Sequence, residues 1–157
     1  MGSKPPMAIL DLPDLPSTGA LLALDPGSKT IGVAVADPTR AVASALETIR
    51  RKKFAEDAAR IFALYDDRAC TGLIVGLPLN MDGSEGPRAQ SARALGRNLL
   101  KLRDVPLAFA DERLTTAGAE RALLEADASR ARRAQVIDAA AAAYLLQGVL
   151  ERLRSSP

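Results

Sequence analysis

Apolar residues first concentrate in two short runs, Ala20-Leu21-Leu22-Ala23-Leu24 and Ile31-Gly32-Val33-Ala34-Val35, separated by Asp25-Pro26-Gly27-Ser28-Lys29-Thr30. Pro26 and Gly27 supply turn dihedrals and Gly32 lets the returning backbone come close, so two strands joined as a hairpin are predicted over residues 20–25 and 31–37. A third strand over 43–48 follows the Asp37-Pro38 break. From residue 52 to 67 the period changes. Phe54, Ala58, Ile61, Phe62 and Tyr65 share one helical face, with Glu56, Asp57 and Arg60 elsewhere on the wheel, which predicts an amphipathic helix. A compact β run over 71–77 ends in Gly76-Leu77-Pro78, and a polar loop over 80–87 follows it. A second helix to about Arg103 turns Ala92, Leu95, Leu99 and Leu102 inward, and residues 105–111 form the next strand. Glu112-Arg113-Leu114-Thr115-Thr116 leads into a helix ending near Ala126, and a last helix spans about 133–154. The order β-β-β-α-β-α-β-α-α implies an α/β fold: a mixed sheet, antiparallel meander first and βαβ units after, flanked by helices. Residues 1–19 hold four of the ten prolines and read as a disordered or loosely docked tail, leaving one domain over 20–154.

Three carboxylates stand out against this pattern. Asp25 ends a buried strand, and Asp111-Glu112 ends another; sites in such sheets lie at the carboxyl ends of strands. Strand alternation sends Asp111 and Glu112 to opposite faces, and Glu112 is the candidate ligand, with Asp111 as the alternative. Asp138 shares a helical stripe with Ala134, Ala142, Leu145 and Val149, whereas Gln147, Glu151 and Arg154 lie on the other side. A carboxylate turned toward a core requires a partner, either a cation or an arginine. Taken singly, each acid has an ordinary explanation. Asp25 suits a turn, Glu112 has Arg113 or Arg121 to pair with, and Asp138 has Arg133 or Arg130. Taken together they form the set that two-metal phosphoryl hydrolysis needs.

Composition narrows the chemistry. The 157 residues contain no histidine, which removes Ser-His-Asp and Cys-His catalysis and His-ligated zinc. A hydrolase built from this chain must therefore run on carboxylates, Lys or a metal held by oxygen ligands, and oxygen ligands favour Mg²⁺ or Mn²⁺. Cys70 stands alone, so an internal disulfide is excluded and a reducing, cytoplasmic setting is expected. Aromatic residues are only 3% of the chain, which argues against base stacking on an aromatic platform. The net charge of +2 permits a nucleic-acid partner without demanding one. Neither a membrane span nor a secretory leader is expected.

Four blocks in order then carry a resemblance. They are Leu24-Asp25-Pro26-Gly27-Ser28-Lys29-Thr30-Ile31-Gly32-Val33-Ala34, Gly76-Leu77-Pro78-Leu79-Asn80-Met81-Asp82-Gly83-Ser84, Asp111-Glu112-Arg113-Leu114-Thr115-Thr116 and Val136-Ile137-Asp138-Ala139-Ala140-Ala141. Together they resemble the RuvC-like YqgF family of Holliday-junction resolvases or pre-16S rRNA nucleases, within the ribonuclease H-like superfamily. The resemblance implies a ribonuclease H-like fold and places the family's acidic residues at Asp25, Glu112 and Asp138. It departs from the family in the first loop, where Lys29 is followed by Thr30 instead of an arginine.

Candidate nucleic-acid contacts are Lys29, Asn80 and Arg88 of the two loops, Arg113 and Thr115 of the third block, and Arg132 and Arg133 beside Asp138. Arg93, Arg97 and Lys101 form a helical stripe that reads more simply as a wet helix face. The resulting expectation is a divalent-metal-dependent nuclease, monomeric or homodimeric, processing the 5′ end of pre-16S rRNA in ribosome biogenesis. Alternatives are a Holliday-junction resolvase and a non-catalytic ribosome-assembly factor. The opening Asp-x-Gly motif also resembles the phosphate loop of actin-like and sugar-kinase ATPases, but those folds need two such domains, and no second copy is present.

Overall fold

A computed structural model describes residues 9–114 and 130–155, with side chains for 9–113 and 139–154. The first three strands, β1 (Ala20–Pro26), β2 (Thr30–Ala36) and β3 (Ala43–Arg50), form the antiparallel meander that the Pro-Gly turn and the Asp37-Pro38 break predict. Helix α1 (Phe54–Asp67) leads to β4 (Cys70–Leu77), and α2 (Pro87–Leu102) leads to β5 (Leu107–Asp111). Both later strands run parallel to β1, giving one five-stranded sheet in the order β3-β2-β1-β4-β5. A 3-10 turn (Glu112–Leu114) follows β5, and the long helix α3 (Arg130–Ser155) closes the description. The helix expected to end near Ala126 lies outside the described residues.

The sheet separates two cores. On one face Leu22, Leu24, Val33, Leu73, Val75 and Leu107 pack against α1 and α2, where Ile61, Tyr65, Leu95 and Leu99 are buried. On the other, Leu21, Ala23, Ala34, Ala36, Ile74, Ala108 and Ala110 receive Ala142, Leu145, Leu146, Val149 and Leu150 of α3. The alternation of β1 supplies both faces, as the period of two requires. Most strand residues beneath α3 are alanines, and Ala139, Ala141 and Ala142 of the helix are buried. The alanine run of α3 is thus a packing surface of small side chains. Cys70 is buried at the start of β4, and burial pushes its thiol up to about 11.

Three expectations from the wheel and the composition change. Asp57 is buried, 5% exposed, because both carboxylate oxygens accept the main-chain N–H of Lys52 ahead of α1; a capping bond draws it inward despite its place on the wheel. Leu102 is 59% exposed instead of inward. The seam between α1 and α2 at that level holds Arg103, which pairs with Asp66 and lies over the rings of Phe62 and Tyr65. Residues 9–19, within the stretch expected to be disordered or loosely docked, are held against the sheet. The Leu10 N–H bonds to the Leu107 carbonyl at the edge of β5, Leu15 is buried, and the Arg40 guanidinium donates to the carbonyls of Pro16 and Gly19. A proline-rich segment lacks internal hydrogen bonds, yet its carbonyls remain good acceptors for a distant arginine.

Asp57→Ala leaves the Lys52 N–H without its acceptor and is expected to lower the unfolding free energy by about 1–3 kcal/mol. Asp57→Asn retains an acceptor and should lose less; urea unfolding followed by circular dichroism measures both.

Candidate functional site

Asp25 is the last inward-facing position of β1 on the α3 side, following Leu21 and Ala23 in the alternation. It is only 2% exposed. Across the antiparallel pair it faces Gly32, and on its other side it lies one step beyond the Leu24–Val75 pair, level with Gly76 of β4. Glycines therefore flank it on both neighbouring strands, and the carboxylate stands in a notch in the sheet's side-chain layer. The turn beyond it is held by the Gly27 N–H to the Thr30 carbonyl at 2.8 Å and by Arg51, which donates to the carbonyls of Gly27 (2.6 Å) and Lys29 (2.9 Å). Arg51 escaped the sequence reading because its partners lie more than twenty residues away and no local pattern signals them.

Glu112 enters the same notch. A Cβ at Gly76 would stand 3.0 Å from Glu112 Oε1, 2.8 Å from Leu145 Cδ2 and 3.4 Å from the Leu24 carbonyl. The space a side chain would take at Gly76 is shared by a carboxylate from β5's end and a leucine from α3. Asp111 goes the other way. Its carboxylate accepts the Arg113 main-chain N–H at 2.9 Å and the Arg113 guanidinium at 2.8–3.2 Å. The hydrogen-bonded guanidinium holds the Asp111 carboxyl below its ordinary range. Of the two adjacent acids, Glu112 is the one that reaches Gly76. Asp138 lies in α3, seven residues before Leu145 and four before the buried Ala142; its side chain is outside the described set.

The nucleic-acid candidates distribute around this end of the sheet. Lys29 is exposed on the β1–β2 turn, and Arg88 is exposed in the first turn of α2. Asn80 belongs to a closed loop. Its N–H bonds to the Ser84 carbonyl, its amide reaches the Ser84 hydroxyl, and Asp82 accepts from both the N–H and the hydroxyl of Ser84. Gly83 adopts φ +89°, a left-handed conformation that suits glycine. Arg113 links this loop to β5 by donating to the Met81 carbonyl at 3.3 Å. Thr115 lies outside the described residues, and Arg132 and Arg133 are placed only as part of α3. Arg93 does not stand open as part of a phosphate stripe, since it pairs with Glu85 at 2.7 Å and lies over the Phe109 ring.

A family model described as "RuvX: Holliday junction resolvase" matches residues 19–152, nearly the whole described domain. The chain belongs to the RuvX family. Relatives include a protein of Cereibacter sphaeroides (strain KD131 / KCTC 12085), 61% identical over 90% of this RuvX chain and 89% of its own, and one of Paracoccus denitrificans, 62% identical over 89% of each. Both carry the name "Putative pre-16S rRNA nuclease". Among solved structures, T. thermophilus RuvC in complex with a Holliday junction substrate matches with TM-score 0.54 at 14% identity, covering 88% of this chain and 98% of that one. A second Thermus thermophilus RuvC structure matches with TM-score 0.52 at 17% identity over 87% and 97%. The RuvX chain shares their ribonuclease H-like fold, as the four sequence blocks imply.

A divalent cation is the group this fold implies, and the residues present fit it. Asp25 and Glu112 bring hard oxygen donors to a notch that glycines keep open. Among the described residues no group of three or more His, Cys, Asp or Glu side chains is gathered for a metal.

Gly76→Ala would press a methyl group against Glu112 Oε1 and Leu145 Cδ2. It is expected to cost about 1–3 kcal/mol of stability through overpacking and to weaken Mn²⁺ binding, as read by thermal unfolding and titration calorimetry.

Proposed function

We propose that this RuvX chain is a divalent-metal-dependent nuclease that hydrolyses phosphodiester bonds at the 5′ end of precursor 16S rRNA, with Asp25, Glu112 and Asp138 as its catalytic metal ligands. The observation that carries the reading is the meeting of the Glu112 carboxylate with Gly76, beside buried Asp25 near the end of β1. The names carried by relatives about 60% identical over nearly their whole length support the RNA target. The description of the family itself favours a second reading, resolution of four-way DNA junctions.

The three carboxylates would hold Mg²⁺ or Mn²⁺, two ions in the two-metal scheme, and the metal would supply an activated water and charge neutralisation at the phosphate. The chain's own residues do the rest. With no histidine available, no imidazole takes the proton of the attacking water, and the carboxylates are the bases within reach of the notch. Leu145 closes the floor at Gly76 and keeps bulk water from the inner side of the pair. Lys29 and Arg88, both exposed, attract the phosphate backbone, with the exposed Asn80 of the closed loop as a further contact. Arg132 and Arg133 add positive charge along α3 beside Asp138.

Cleavage of a labelled precursor 16S rRNA fragment and of a four-way DNA junction should require Mg²⁺ or Mn²⁺ and stop with EDTA. Asp25→Asn, Glu112→Gln and Asp138→Asn are each expected to reduce cutting by more than about 100-fold, beyond what loss of a supporting partner costs. Cutting of the junction alone would favour the resolvase reading. Tight binding without cutting in any metal would overturn the nuclease and favour an assembly factor.

A further inference from the structure

We propose that Asp111 and Arg113 are positioning residues for Glu112, forming with the Met81 carbonyl a clasp at the ends of β4 and β5 that fixes the turn presenting Glu112 to the notch. This inference rests on the metal-site reading above. Glu112 is the central residue of the three, and both of its neighbours are tied down. The Arg113 N–H to Asp111 Oδ1 bond, at 2.9 Å, closes an Asx turn where β5 gives way to the 3-10 turn. Arg113 then folds back, with Nε at 3.2 Å from both Asp111 oxygens and Nη2 at 2.8 Å from Oδ2. Such a forked, charge-assisted pair holds a fixed geometry that one point charge would not.

The face matters as much as the bonds. Phe109 packs toward α2, its ring against Gly96, and Ala110 packs toward α3. Continuing the alternation puts Asp111 on the α2 side and Glu112 on the α3 side, consistent with the contact of Glu112 at Gly76. Asp111 and Arg113 thus hold the turn through each other, on either side of Glu112 in the chain. The third contact reaches across to the β4–α2 loop. Nη1 of Arg113 donates to the Met81 carbonyl at 3.3 Å, and Gly83 admits the guanidinium, whose nearest atom would stand 3.5 Å from a Cβ there. Asp82 adds a second negative charge near the guanidinium. The loops after β4 and β5 are thus joined by one side chain, and a shift in either is transmitted to Glu112.

A phosphate contact and a positioning role make opposite predictions for Arg113. As a positioning residue, Arg113→Ala and Asp111→Ala are expected to weaken Mn²⁺ affinity by about 10–100-fold, the range for partners that orient a ligand. Binding to a precursor rRNA fragment in EDTA should keep its salt dependence. Arg113→Lys should fail to restore Mn²⁺ affinity, because a lysine cannot make the fork. Asp111→Asn keeps the Asx-turn acceptor, guards against misfolding, and should fall between wild type and Asp111→Ala. Titration calorimetry with MnCl₂ and filter binding at several salt concentrations read these effects. If Arg113→Ala leaves Mn²⁺ affinity unchanged while the salt slope drops by about one, Arg113 is a phosphate contact and the proposal is overturned. A wild-type protein that binds no Mn²⁺ overturns the metal-site reading and this inference with it; variants that match a Mn²⁺-binding wild type overturn this inference alone.

Discussion

Because β1 is covered on both faces, every residue along it must belong to one core or the other, and its alternation decides where Asp25 ends up. Leu22 and Leu24 fill the α1 and α2 side, whereas Leu21 and Ala23 face α3. The next position on the α3 side is Asp25. Fully burying a leucine is worth about 1.5–3 kcal/mol, while taking an ionised carboxylate out of water costs several kcal/mol. A strand that buries Leu21, Leu22 and Leu24 completely can carry one such residue at its end. One register step either way would turn the acid into the other core and the leucines with it.

The same face explains the choice of small side chains. Alanine at 23, 34, 36, 108 and 110 of the strands and at 139, 141 and 142 of α3 lets a long helix lie close to the sheet. Alanine gives up no rotamer freedom on burial, so the close approach costs little side-chain entropy. Leu145, Leu146, Val149 and Leu150 supply the larger surfaces that fix the helix in place. At the acidic end the layer thins further, to glycine at 32 and 76, and Leu145 and Glu112 move into the room that remains.

Much of this was legible from residue order alone. Period-two runs, a Pro-Gly turn and two amphipathic stripes predict the strands, the meander and the helices, and alternation separates Glu112 from Asp111. What could not be read was long-range or sub-periodic. Asp57 is drawn inward by a single capping bond to Lys52, Arg51 and Arg40 act on carbonyls more than twenty residues away, and Leu102 yields its place to Arg103. By sequence Gly76 marks only the end of a strand, and the folded sheet shows which atoms crowd it. Arg113 is a nucleic-acid candidate by sequence, and its pairing with Asp111 two residues away shows only in the folded turn.

Both ends of the described chain meet at the corner opposite the acids. Leu12 and Leu15 face Leu150 and Leu153 across a cavity of about 520 Å³, with Arg40 and Arg154 at its rim, and Arg154 donates to the Arg40 carbonyl at 3.3 Å. Leu15 lies against Gly72, near the start of β4, whereas Asp25 lies at the finishing end of β1. The cavity therefore sits beside the starting ends of the central strands and the notch beside their finishing ends, so the two share α3 but none of the described loops.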